Sequence, residues 1–398
     1  MAVNTTSAAV PSGRSMLQSA GMRTLRAAGV VGGFAQSLTG ATGSLLAFEV
    51  TGSQAAAGLP MTATVAGAGA AAALSSRLVA SYGRRRALSS GAGVAVFGSV
   101  LVGLAALTSS LALVLAGCAL LGAGTAMVML CRYAAAELVP EALRPRAMAS
   151  VLGATTIGAV AGPNLLAPMG AAAAGLGLPE LSGPFGFGAL AFGCTAALLF
   201  AGLGDDRPGP EAVPASGGEG ASALPGLLVL SVSNLVMIGV MTMAPVHMEH
   251  RHGGGLAVIG LVISIHVAGM FAPSTLSGRL VQRFGPSPMA MVAGVSMCAA
   301  CALAAAGAAS PWTLGVAMAA LGVSWNLALV AGSAMLTAAA PRRARLKREG
   351  LGEVGMSIAA ATAGLACGPL AAQGGYALVA IVGAAAAVLI PATIALRP

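Results

Sequence analysis

Charge is scarce in this sequence. Of its 398 residues, 8% are Asp, Glu, Lys or Arg, about a third of the share in a soluble domain, which excludes an ordinary water-soluble fold. Aromatic residues are also scarce, at 4%. With no sustained polar–apolar alternation, a transmembrane barrel with aromatic girdles is excluded as well. Cysteine is limited to Cys118, Cys131, Cys194, Cys298, Cys301 and Cys367, all inside apolar runs, which is not how a disulfide framework is placed. The segment up to Arg23 has no apolar signal core, so no cleaved signal peptide is expected. Also missing are a phosphate-binding G-x-x-x-x-G-K-[ST] loop, a Ser/His/Asp constellation and the D-K-T-G-T of a phosphorylated pump. Neither an enzyme site nor ATP-driven machinery is expected.

Apolar residues fill the space that charge leaves. They make up 57% of the chain, and the mean hydropathy is +0.89. Apolar runs lie near 27–48, 56–80, 87–108, 111–136, 147–172, 184–203, 225–248, 256–277, 289–309, 312–339, 352–372 and 376–396. Each is long enough to cross a bilayer as a helix of ~20 residues. The spacing predicts an all-α membrane protein with twelve transmembrane helices in two six-helix halves, 1–203 and 225–398. A polar connector rich in Gly, Pro, Asp and Glu, 204–224, lies between them. With both termini on the cytoplasmic side of a bacterial inner membrane, every Lys and Arg except Arg251 falls on the inner side, the arrangement that sets membrane orientation. The net charge of +9 is thus explained by topology and the anionic lipid surface. No nucleic-acid partner is implied.

The two halves repeat. Ser76-Arg77-Leu78-Val79-Ala80-Ser81-Tyr82-Gly83 after the second run corresponds to Gly278-Arg279-Leu280-Val281-Gln282-Arg283-Phe284-Gly285 after the eighth. Gly83, Arg84 and Arg85 in one copy, and Gly278, Leu280, Arg283 and Gly285 in the other, resemble the G-x-L-x-D-R-x-G-R-R loop signature of the major facilitator superfamily. Gly158, Gly162 and Pro163 are similar to that family's G-x-x-x-G-P element in the fifth span; small residues there allow close helix packing. The resemblance implies the major facilitator fold and a secondary transporter with an inner gate. The signature Asp, which helps latch that gate in the family, is Ala80 in one copy and Gln282 in the other, so the latch must differ here.

Soft ligands concentrate in one stretch. All four histidines and five of the nineteen methionines lie between Met237 and Met270. Met237 and Met241 share one face of the seventh run at i, i+4, and His266 and Met270 do the same in the eighth. If the two helices face each other, three thioethers and one imidazole converge, a donor set suited to copper. M-x-x-x-M in span seven with H-x-x-x-M in span eight resembles the CcoA-like bacterial copper importers of the superfamily. That resemblance implies copper as transported substrate and downstream copper-handling proteins as partners; a branch of the same family is associated with riboflavin. Core packing by Met and a buried His bonded to a carbonyl are the alternative readings of the same residues.

Further candidates surround this quartet. Met243, His247, Met248, His250 and His252 lie toward the outer end of span seven, as an entry site or as an interfacial cluster. Asn234, Trp325, Asn326, Cys298 and Cys301 are candidate pathway residues, with interhelical bonding or simple burial as the alternatives. Glu353, one turn beyond the basic 342–348 segment, is placed for an inner-gate ion pair or a solvated helix end. No resident cofactor is expected. Three cargo readings stay open: copper uptake, uptake of riboflavin or another small solute, and efflux of drugs or other solutes.

Overall fold

The computed structural model describes residues 16–52, 59–204, 222–252, 255–307, 310–338 and 340–396. Among the described residues, regular structure is entirely helical, because inside a bilayer a segment must satisfy its own backbone. The first half of the sequence supplies α1 (Ala20–Thr51), α2 (Leu59–Thr108), α3 (Leu111–Glu137), α4 (Arg144–Asn164), α5 (Leu166–Gly175) and α6 (Ser182–Gly202). The second supplies α7 (Leu224–His252), α8 (Gly255–Phe271), α9 (Ser274–Phe284), α10 (Pro286–Ala306), α11 (Pro311–Thr337), α12 (Arg342–Ala387) and α13 (Leu389–Ala395).

Breaks in these helices account for the difference between thirteen elements and twelve expected spans. Gly83 leaves helical geometry at φ 80° and divides α2 into two arms. Gly374 and Gly375, the latter at φ 67°, divide α12 in the same way. The fifth run is one bent unit: α4 and α5 meet at 52° just after Pro163, which lies inside α4. The eighth run is shared by α8 and α9. Counted by arms and bent pairs, the twelve expected runs each find a helix. Most of the connector 204–224 lies outside the described residues.

The sequence repeat also has a backbone explanation. Gly83 and Gly285 occupy matching positions in the two copies, and both sit in the left-handed region, at φ 80° and φ 90°. A side chain there would be strained. Ser110 caps α3 by accepting from Leu113 N–H, and Ser310 caps α11 by accepting from Thr313 N–H, each at 3.4 Å.

Apolar packing follows the halves. One buried cluster runs mainly from Val229 to Ile390, with Ala149 and Leu152 of α4 joining it. Two others are drawn from Met22–Leu203 and Ala35–Phe192. Within the first half, Gly158 and Gly162 let α4 lie against the α1 backbone. A Cβ at Gly158 would strike the Val30 carbonyl, and one at Gly162 the Ser37 hydroxyl.

Candidate functional site

A cavity of about 290 Å³ lies between the two sets of helices. The first half contributes Gln36, Thr39, Thr64, Thr125 and Met129, and the second half Asn234, Met237, Met270, Phe271, Trp325, Glu353 and Met356. At one end the lining reaches Pro60 and Met61 in the first turn of α2; at the other it reaches Glu353 in α12. Among the described residues, Glu353 is the only charged group on this lining.

One wall is held by hydrogen bonds. Trp325 Nε1 donates to Asn234 Oδ1 at 3.2 Å, and Asn234 Nδ2 donates to the Met356 carbonyl at 2.8 Å. The indole also meets Phe271 edge-on, with centroids 6.0 Å apart. Three helices, α7, α11 and α12, thus fix one aromatic surface facing the cavity.

The Met/His quartet does not converge. Met237 and Met270 line the central cavity. Met241 and His266 line a separate, tight pocket with Ala244, Met248, Val262, Ile263 and Met318. The two helices touch each other little and meet through α11; they run in opposite directions, so four residues, ~6 Å of helix, separate one rung from the next. His266 is 1% exposed, and its Nδ1 lies 2.8 Å from the Met318 carbonyl. A carbonyl only accepts, so Nδ1 carries the proton in that bond and the neutral ring's lone pair is on Nε2. Nε2 is buried with no hydrogen-bond partner among the described residues.

The remaining candidates separate into neighbours of these cavities and core residues. Met248 joins the His266 pocket. Met243 is half-buried against the main cluster, and His247 stacks on Tyr376 with centroids 5.0 Å apart. The side chains of His250 and His252 lie outside the described residues. Asn326 is a core bracket and not a lining residue: its amide donates to the Met270 carbonyl and Ser274 Oγ, and its oxygen accepts from Ser277 Oγ, each at 2.7 Å. Cys298 and Cys301 also miss the cavities. Cys298 Sγ bonds the Ala384 carbonyl at 3.4 Å, and Cys301 is fully buried beside Gly383.

Below Glu353, at the end that carries the arginine-rich segments, buried ion pairs join the two halves. Arg132 of α3 donates to Glu353 Oε1 at 2.6 Å. Arg84 of α2 bonds Glu137 of α3 and Glu349 of α12, both at 2.7 Å. Arg345 of α12 reaches Glu137 at 3.2 Å. Arg132 is 0% exposed and donates also to the Met129 carbonyl, Tyr133 Oη and Ser333 Oγ.

Comparison with known proteins decides the family. The Major Facilitator Superfamily model matches residues 27–256 and 226–398. The chain belongs to the major facilitator superfamily. It is therefore a multi-pass membrane protein and a secondary transporter, not an enzyme. Similar proteins include the uncharacterized MFS-type transporter YddS of Bacillus subtilis (34% identity, covering 87% of this chain and 84% of that one). The riboflavin transporter RfnT of Brucella anthropi is 31% identical over 42% of each chain. The crystal structure of the human organic anion transporter MFSD10 superposes with a TM-score of 0.75 at 15% identity, covering 97% of this chain and all of that one.

In this facilitator the loop signature divides its tasks. Gly83 makes the turn, Arg84 enters the ion-pair network, and Arg85 lies over the Phe200 ring at 4.2 Å. In the second copy, Gly285 makes the turn and Gly278 fits closely against Pro145, Arg146 and Ala149 of α4, while Arg283 is exposed near Phe284. One seam between the halves is ionic and its counterpart is a small-residue contact. Sequence reasoning missed Glu349 and Met318; of the two readings of Glu353, the structure places it in an ion pair, with Arg132 as partner, and not at a solvated helix end. Nothing local marked these residues, because their partners lie far away in sequence or on another helix.

Proposed function

We propose that this facilitator takes up a small, largely apolar, neutral organic solute through the central cavity. The observation that carries the reading is the cavity itself. It is built by both halves, so rocking one half against the other can expose it to either side in turn. Its volume of about 290 Å³ is close to the lower range of small-molecule pockets and is ample for a single metal ion. Its one carboxylate is neutralised by Arg132, so no fixed charge selects an ion. The Trp325–Phe271 wall suits a planar ring, and the partial likeness to the riboflavin transporter RfnT makes riboflavin the probe of choice. With the arginine-rich end in the cytoplasm, the lining that reaches Pro60 and Met61 faces the periplasm, which favours loading from outside.

Labelled riboflavin uptake into vesicles containing the purified protein tests this. Saturable uptake is expected, insensitive to a Cu(I) chelator. Trp325→Ala should weaken apparent affinity by roughly tenfold to a hundredfold, the equivalent of a lost stacking contact of about 1–3 kcal/mol. Absence of riboflavin movement in the wild type removes this cargo.

A second reading, copper uptake, is favoured by the orientation of His266. Its carbonyl-anchored Nδ1 and unpaired Nε2 are the arrangement of a metal-ligating imidazole, and Met241, Met248 and Met318 surround the same pocket. In this reading Met237 and Met270 form the cavity-side approach, and downstream copper-handling proteins receive the ion. The pocket is lined by the second half alone, which is why it ranks behind the cavity as the alternating site. Cellular copper content tests it: His266→Ala should abolish protein-dependent accumulation, and unchanged copper would remove the reading.

A further inference from the structure

We infer that Gln36 and Ser357 read the polar edge of the cargo, and that the cargo is a planar, neutral heterocycle with a lactam or imide edge, an N–H beside a ring C=O. The inference rests on the central cavity being the cargo path. It narrows that reading from a small apolar solute to a class defined by one functional group.

Most polar groups on the cavity lining are already engaged. Asn234 accepts from Trp325 and donates to the Met356 carbonyl. Glu353 is paired with Arg132. The hydroxyls of Thr39, Thr64 and Thr125 donate to carbonyls of their own helices, at 2.8, 2.9 and 3.5 Å. The Cys118 thiol bonds Thr64. Two groups remain. Among the described residues, neither the Gln36 carboxamide nor the Ser357 hydroxyl has a hydrogen-bond partner, although both line the cavity and both are partly buried.

These two come from opposite halves, Gln36 from α1 and Ser357 from α12. Ser357 lies one turn beyond Glu353 on the same helix face. Gly69 of α2 lies against it, and a Cβ there would stand 3.3 Å from the Ser357 Cβ. Gln36 has open space beside it: a Cβ at Gly40, one turn along α1, would meet nothing within 4 Å. A ring can therefore approach the carboxamide without displacing protein.

The chemistry of a carboxamide decides the class. It presents a donor and an acceptor side by side in one plane. Its complement is an acceptor beside a donor in the same plane, which is the edge of a lactam. Turning the amide over exchanges its two ends, so either order along the ring edge is met. A carboxylate offers acceptors alone, and a lone hydroxyl offers no fixed pair. Ser357 adds a hydroxyl donor, suited to the second carbonyl of an imide. The Trp325–Phe271 wall supplies a face for the ring. A hydrocarbon of the same shape would strip water from the carboxamide and leave it unpaired, which rejects that solute.

Equilibrium binding to the full-length purified protein in lipid nanodiscs tests this. The probes are rings that differ only at the edge: riboflavin and 3-methylriboflavin, lumiflavin and 3-methyllumiflavin, 1-methylquinazoline-2,4-dione and its 1,3-dimethyl partner. In each pair a methyl group replaces the imide N–H and leaves the ring intact. The wild type should bind a parent ring about tenfold more tightly than its methylated partner, as expected for one lost hydrogen bond. Gln36→Met keeps the length and removes the amide, and should bring the two members of a pair to equal affinity. Its unfolding temperature should stay near that of the wild type, because Gln36 bonds nothing within the protein. Gly40→Val, which fills the space beside the amide, should weaken both members alike. Equal binding of both members by the wild type overturns the inference, as does a Gln36→Met protein that keeps the preference, or a wild type that binds none of the parent rings. If Gln36→Met does not fold, Gln36→Ala is read in its place. Riboflavin uptake without preference over 3-methylriboflavin would leave riboflavin as cargo and remove the role of Gln36. Preference within the quinazolinedione pair without riboflavin transport would do the reverse, so the two ideas fail separately.

Discussion

Asn234 uses both ends of its amide, one to hold the Trp325 indole and the other to hold the Met356 carbonyl. Asn234→Leu removes both bonds and leaves a buried indole N–H without a partner, a loss of about 1–3 kcal/mol. The expected outcome is a lower unfolding temperature together with a freed ring. Because the chain has two tryptophans, a Trp312→Phe background isolates Trp325, whose emission should shift and become open to aqueous quenchers. An unchanged spectrum would show that Asn234 does not set the ring. At this scale the sequence identified residues better than it identified their arrangement. Asn234, Trp325, Met237 and Met270 stood out as polar, aromatic or soft groups in apolar runs, and all four line the cavity. Their division from Met241 and His266 was hidden, because an i, i+4 pair shares a face but not a level. Met318 carried no signal at all: one methionine in a distant helix resembles core packing until the pocket is seen.

Helices in this protein meet where side chains are absent. Gly158 is the clearest case, since the α1 backbone occupies the space its Cβ would need. Gly158→Leu must push α1 from α4, with an expected loss of about 1–3 kcal/mol or more. Thermal unfolding in detergent should show the drop, whereas Gly93→Leu, with nothing close by, should be neutral. Equal stability of both variants would mean that α4 does not need the close approach. The G-x-x-x-G-P spacing and the apolar runs made most of this level legible from sequence. Breaks were less so. Pro163 marks a bend that composition announces, but Gly374 and Gly375 are two glycines among 57, and only their backbone angles distinguish them from packing glycines.

Across the whole molecule the two sides of the arginine-rich end are built differently. Ion pairs close the seam between α2, α3 and α12, and Gly278 against Ala149 closes the seam between α9 and α4. An ionic seam responds to charge, whereas a small-residue seam can act as the pivot about which the halves turn. None of the ion pairs joining the halves was readable as a pair, because their partners lie more than 200 residues apart, as Arg132 and Glu353 do at a separation of 221. That separation also bears on how the protein is made. Arg132 enters the membrane with the fourth span, long before the ribosome reaches Glu353. In the interval the nascent first half carries a cation without its Glu353 partner, at a cost below the about 2.5–3.5 kcal/mol of an Arg at a helix centre, because Arg132 lies near the inner end of α3. Co-translational assembly therefore has an order: the first half waits, incompletely neutralised, for the eleventh span. When the halves are expressed as separate chains, 1–203 alone should be cleared by membrane proteases and be rescued by 225–398. Arg132→Leu should remove that dependence, and a half that accumulates equally well with either residue would show that the waiting cation carries no such penalty.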